Sequence, residues 1–224
     1  MRLEGPVVRE LGKQFRRAWW STTGEELDPA RYLPSSPPVV GGGHAALVLA
    51  NREWRRRHTI RRGYLSAFRH ARRSIHLTQA YFIPDRGIQR ALAAAVRRGV
   101  DVQVLLGGIS DVPAVQHATR HLYGRLLSRG IRIHEWPGRV LHAKTVCVDG
   151  SWSVIGSYNL DHRSFRHNLE IVVAIAGEPL GRAMDELFAR DLSLSREVSL
   201  ARWRERSWWQ RLQGALWFAA RHWL

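Results

Sequence analysis

The sequence predicts an α/β fold, a parallel or mixed sheet covered by helices. Three observations carry this. Short apolar runs alternate with amphipathic ones between residues 45 and 135. The periodicity then changes, and three strand-like runs follow with little helix between them. A final amphipathic run, Glu178–Ala189, closes the pattern. Repeated βα units of this kind bury a sheet under helices.

The elements follow in order. Residues 2–20 read as a helix, with Val7, Val8, Leu11, Phe15, Ala18 and Trp19 at roughly helical spacing. Residues 21–43 are a break containing Pro29, Pro34, Pro37 and Pro38 and then Gly41, Gly42 and Gly43, the composition of a linker. Ala45–Ala50 is a short strand and Thr59–Arg73 a basic amphipathic helix. Ser74–Gln79 is a strand, and Tyr81-Phe82-Ile83-Pro84 continues it into a turn. Arg86–Arg98 is an Ala-rich helix, Val100–Leu106 a strand, Val112–Ser128 a helix and Ile131–Glu135 a strand. Val140–Val148, Trp152–Ser157 and Leu169–Ala176 are the three later strands, the first two joined at Asp149-Gly150, a tight-turn dipeptide. In a sheet of this kind a site is expected at the carboxyl ends of the strands.

Composition bounds the partners. The formal charge of +16 seeks polyanions, either nucleic acid or an acidic phospholipid surface. Lys13 and Lys144 are the only lysines among 35 basic residues, so a Lys two residues after His142 stands out against an Arg background. A compact ammonium suits a phosphate oxygen, where Arg is a wide planar fork. The single cysteine, Cys147, precludes an internal disulfide and reads as a buried core thiol. No signal peptide is read at Met1, and no run of about 18 apolar residues predicts a transmembrane helix.

The hairpin region carries the sharpest chemical signal. His142 and Lys144, two apart on the expected strand, would share a face continued by Val146 and Val148. Ser157 and Asn159 stand in the same relation near the next strand, following Gly156, and antiparallel pairing could bring them beside the first pair. An imidazole beside an ammonium makes a phosphate site with a nucleophile or proton donor inside it, and the Asn159 amide can donate to a phosphate oxygen. Glu170, at the start of the third strand, is a candidate to hold the far nitrogen of the His142 ring. Asp149, at the strand end away from His142, reads as structural. A lone histidine carries little weight, and His58, His70 and His117 read as solvated; the joint spacing is what matters.

That spacing, His142-x-Lys144 then Asp149 then Gly156-Ser157-x-Asn159, resembles the motif of the phospholipase D superfamily. Leu160-Asp161, Arg163-Ser164 and Asn168-x-Glu170 extend the resemblance to bacterial cardiolipin synthases, as do Tyr81–Pro84, Arg129-Gly130-Ile131 and the Trp-rich tail. The resemblance implies a mixed sheet flanked by helices in an α/β/α sandwich. It divides the chain into a helix and linker at 1–43, a catalytic domain at 44–194 and a basic tail at 195–224. It implies phosphatidyl transfer through a phospho-histidine, with no metal or cofactor. His142 would be nucleophile or general acid/base, Lys144 and Asn159 would bind phosphate, Glu170 would orient His142, and Ser157, Gly156 and Asp149 would support them.

Members of the superfamily use two such motifs, and this sequence has one. The opening Leu3-Glu4-Gly5-Pro6 and its helix resemble the segment that closes a preceding domain. The expected partners are therefore a second phospholipase D-like domain or subunit, an anionic phospholipid such as phosphatidylglycerol, and the bacterial membrane surface, bound peripherally. A symmetric homodimer ranks below a split or longer protein. The rival readings are a hydrolase or endonuclease acting as a homodimer, and an inactive membrane-binding half. The tail argues against nucleic acid: Trp208, Leu212, Ala215, Leu216, Ala219 and Trp223 form one helical face, with Arg204, Arg206, Arg211 and Arg221 mainly off it. That face would lie in a lipid interface or dock on protein. The runs Arg55-Arg56-Arg57, Arg61-Arg62 and Arg72-Arg73 read as solvated, or as steering anionic headgroups.

Overall fold

The computed structural model describes residues 2–32, 43–51 and 58–223. The elements run α1 (Pro6–Thr23), α2 (Pro29–Tyr32), β1 (Ala45–Asn51), α3 (Thr59–His70), β2 (Ser74–Gln79), α4 (Arg86–Arg97), β3 (Asp101–Gly107) and α5 (Pro113–Leu127). They continue β4 (Arg132–Trp136), β5 (Lys144–Val148), β6 (Trp152–Gly156), α6 (His162–Arg166), β7 (Glu170–Ala176), α7 (Glu178–Ser193), β8 (Arg196–Glu197), α8 (Leu200–Arg204) and α9 (Trp208–Ala219). Within the break expected at 21–43, α1 runs on to Thr23 and Pro29–Tyr32 form α2; residues 33–42 and the Arg55-Arg56-Arg57 run lie outside the described residues.

One eight-stranded sheet holds the domain together, in the order β1-β7-β6-β5-β2-β3-β4-β8. β2, β3 and β4 are parallel, and all other neighbours are antiparallel. The sheet is therefore mixed, as expected. The parallel trio comes from the βα half of the sequence and the antiparallel strands from the hairpin half. Alternation along the strands sends Ile75, Leu77, Val104, Val146, Val154 and Val172 to one face, where α3, α4 and α5 complete a single apolar core. α7 covers the other face: the His76 ring stacks on Phe188 at 4.6 Å and bonds Asp185 at 2.8 Å. Cys147 points the same way and is buried beneath α7, with Sγ 3.6 Å from the Gly181 carbonyl. Burial pushes its thiol up to about 11.

Local chemistry sets the boundaries. The Asp85 side chain caps α4 by accepting from the Gly87 and Ile88 N–H groups, and the Arg61 guanidinium clamps it with two bonds of 2.8 Å. Asp149 and Gly150 both take positive φ, 55° and 62°, which is why this dipeptide closes the β5–β6 hairpin. Two expectations shift. Tyr81–Pro84 is not a strand; it keeps one bridge, Phe82 to Leu160. The strand expected from Val140 begins at Lys144, because its partner β2 ends at Gln79, directly opposite Lys144. His142 thus lies outside the pleat.

α1 makes the expected helix but has no buried residue, and Phe15 and Trp20 stay exposed. At the other terminus the chain rejoins the domain: β8 extends the sheet beside β4, and Trp203 of α8 packs on Tyr123 at 4.8 Å.

Candidate active site

The topology brings five strand ends to one edge of the sheet. β1, β2 and β6 end there, at Asn51, Gln79 and Gly156; β5 and β7 begin there, at Lys144 and Glu170. All the site residues expected from the sequence except Asp149 collect at this edge. Gly156 is required because a Cβ would run into the Ile171 carbonyl and Val172 on the neighbouring strand.

Lys144 is 8% exposed. Its Nζ donates to the carbonyl of His142 at 2.9 Å, and among the described residues no carboxylate pairs with it. Burial pulls the ammonium below its ordinary value, while Glu170, Asp161 and Asp111 pull the other way. A buried cation held by one backbone oxygen is an incomplete arrangement, and an anion would complete it. The His142 side chain is exposed and makes no hydrogen bond within the described residues. Asn159 is buried, and its side-chain Oδ1 has no partner. At this edge of the sheet stand one buried cation with a single backbone acceptor, one exposed imidazole and one amide oxygen without a partner.

Most of the surrounding groups, by contrast, are engaged, although the buried Nε2 of Gln79 has no partner. Ser164 is the hub. Its hydroxyl donates to Glu170 Oε1 at 2.7 Å and accepts the Asn159 N–H at 3.3 Å, and its carbonyl accepts from Asn51 Nδ2 at 3.2 Å. Glu170 was expected to hold His142. Its oxygens instead accept from Ser157, Ser164 and Asn168, and no bond joins it to His142. Both ends of the Leu160 peptide are fixed: its N–H donates to Gln79 Oε1 at 3.1 Å, and its carbonyl accepts the Ile83 N–H at 2.7 Å. Asp161 caps α6 by accepting the Ser164 N–H at 2.7 Å. Burial raises its carboxyl to about 6, Glu170 adding to the effect and the cap bonds opposing it. Tyr81 donates to Asp111 at 2.7 Å, and burial followed by that carboxylate raises the phenol to about 12.

Asp149 stands at the opposite end of β5. Its carboxylate accepts the N–H groups of Arg72, Arg73 and Ser74 at 2.9, 2.7 and 2.9 Å. Burial works against its ionisation, but these three donors and the Arg73 charge outweigh it and hold the carboxyl below its ordinary value. Gln79, Ser164 and Asp161 were not singled out as site residues. The Asp161-to-Ser164 spacing was a readable helix-cap signal; nothing local marked Gln79.

Comparison with known proteins gives the family and the fold. The family described as cardiolipin synthase, phospholipase D-like domain, matches residues 64–192. Cardiolipin synthase A of Yersinia pseudotuberculosis is 32% identical over 225 residues, covering 97% of this chain and 45% of that protein. The Erwinia tasmaniensis cardiolipin synthase A matches at the same identity and coverage. The chain thus spans about half the length of these relatives. Among solved structures, Nuc from Salmonella typhimurium, a phospholipase D family member, superposes with a TM-score of 0.60 at 23% identity, over 70% of this chain and 99% of that one. The phosphatidylserine synthase of Haemophilus influenzae gives 0.57 at 14% identity, over 81% of this chain and 45% of that one. These two likenesses show the fold. The chain belongs to the cardiolipin synthase family of phospholipase D-like domains.

Proposed function

We propose that this chain supplies half of a phosphatidyltransferase site of the cardiolipin synthase type. It would move a phosphatidyl group from one phospholipid to the free hydroxyl of another. The observation that carries this is Lys144: a buried ammonium with one backbone acceptor, next to an unengaged imidazole. A phosphodiester is the ligand that uses both.

In the first step a ring nitrogen of one histidine attacks phosphorus. The N–P bond forms, the P–O bond to the leaving alcohol breaks, and that oxygen takes a proton from a second histidine. In the second step the incoming hydroxyl returns its proton to that second histidine, its oxygen bonds phosphorus, and the N–P bond breaks. Lys144 and Asn159 would hold the non-bridging oxygens as charge builds on them. The scheme needs two histidines with distinct roles. His142 would supply one, and because the sequence has a single His-x-Lys motif the other is assigned to another domain or subunit. Glu170, with Ser157, Ser164 and Asn168 on its oxygens, is assigned to positioning the Asn159 loop. The reaction would take place at the surface of an anionic bilayer; among the described residues no helix is long and apolar enough to cross one.

The test is an assay with labelled phosphatidylglycerol in detergent micelles, comparing the chain with His142→Ala. An inactive lone chain, activated by adding a separately produced phospholipase D-like first half, is the expected result. Diphosphatidylglycerol made by the His142→Ala chain under the same conditions would overturn the assignment.

A further inference from the structure

α9 docks on the domain by its less apolar side. Gly214 lies against the His117 carbonyl and His121, where an added Cβ would sit 3.4 and 3.5 Å from them, and Phe218 stacks on the His121 ring at 4.7 Å. At about 100° per residue, Trp208, Leu212, Leu216 and Trp209 fall within an arc of roughly 100° on nearly the opposite side. That arc faces outward: Trp208 is 62% and Leu216 63% exposed, and Trp223 beyond the helix is 87% exposed. Docking has therefore not consumed the apolar face expected from the sequence.

The surroundings of the arc are basic. α9 has no acidic residue, and Arg202, Arg204 and Arg211 are exposed beside it. The turn after α9 also reaches the site. The ring of His222 lies 4.4 Å from that of His162, the first residue of α6. α6 carries Ser164, which holds Glu170 and the Asn159 backbone. Arg163 and Arg166 of α6 are exposed.

We infer that the outward face of α9 is a docking surface for an anionic phospholipid bilayer, and that it seats the catalytic edge of the sheet at the membrane. Trp and Leu enter the headgroup boundary while the arginines meet lipid phosphates. Because α9 is fixed to α5 and the turn that follows it touches α6 through His222, binding orients the site as well as tethering the chain. The occupant is a lipid surface because the exposed arc is rich in Trp, whose ring accepts an apolar contact while one edge stays wet, and because its flank is net basic, with Arg202, Arg204 and Arg211 against the single acid Glu205. The inference extends the phosphatidyl-transfer reading, but its test does not depend on turnover.

The experiment uses the His142→Ala chain, so that lipid chemistry cannot contribute. Co-sedimentation is measured with vesicles of phosphatidylglycerol and phosphatidylcholine, and with phosphatidylcholine alone. Binding to the anionic vesicles is expected, and Trp208→Gln, Leu212→Gln and Leu216→Gln together should weaken it more than tenfold with the melting temperature unchanged. Brominated acyl chains should quench the tryptophan emission of the chain with its tail intact. Three outcomes would overturn the inference: no binding or quenching; triple-variant binding within twofold of the parent; or a vesicle-free dimer that the triple variant dissociates, which would make a second copy the occupant. If binding holds while transfer activity fails, the surface stands and the catalytic assignment falls.

Discussion

The two ends of strand β5 carry similar ingredients and use them in opposite ways. At one end Asp149 is saturated by three backbone N–H groups on the neighbouring segment. At the other, Lys144 has a single carbonyl, and the Oδ1 of Asn159 has no partner at all. A saturated charge fastens two pieces of chain together. An unsaturated one costs stability and is useful only when a ligand arrives. Five residues of one strand thus separate a fastening from a binding site.

Substitutions can sharpen this contrast. His142→Ala should lower phosphatidyl transfer, measured with the complementing half present, on the order of 10^3-fold or more. It should leave urea unfolding within about 0.5 kcal/mol, because the ring is exposed and unpaired. Lys144→Met should cost on the order of 10^2-fold in turnover. Unlike an ordinary buried substitution, it should raise stability by about 1 kcal/mol, since it removes a buried unpaired charge. A Lys144→Met chain that unfolds more easily would break the comparison at its centre.

Asp149→Ala should do the reverse. It strands three N–H groups and places Ala at a positive φ, for a loss of about 3 kcal/mol in urea unfolding. Once folded and complemented, the variant should keep its turnover within twofold. Asp149→Asn keeps tolerance of the backbone angle and separates charge from strain.

The smallest effect is in the acid response, where two carboxyls differ in sign. Asp149 is held below its ordinary value, so its contribution is complete above pH about 4 and disappears as the pH falls through its folded value. Asp161 sits at about 6, so the folded chain binds the extra proton between pH about 4 and 6. Stability therefore falls as the pH rises through that window. Asp161→Asn, which keeps a competent helix cap, should remove that slope and raise stability at pH 7 by about 2 kcal/mol. Urea midpoints across pH 3 to 7 would show whether the two slopes separate.

Much of this was written in the sequence where the chemistry is local. The Asp149-Gly150 turn, the mixed sheet and the pairing of a lone Lys144 with His142 all follow from spacing and composition. What was hidden depends on partners far along the chain. His142 left the pleat because β2 stops opposite Lys144, a fact set by where a strand 65 residues earlier ends. Glu170 had the right position at the start of β7, but no spacing rule shows Ser157, Ser164 and Asn168 converging on its oxygens. The buried amide of Gln79, bonded to Leu160 across 81 residues, has no local signature.

The burial of Cys147 gives the molecule a built-in clock. Its sulfur lies between the sheet and α7, and a thiol raised to about 11 keeps almost no thiolate at neutral pH. Alkylation must then wait for α7 to lift from β5 and β6, so the labelling rate of the unmodified chain measures that opening equilibrium directly. Since the sequence has no other cysteine, the signal has one source. Any ligand that tightens the far end of β5 would register as a slower reaction at its middle.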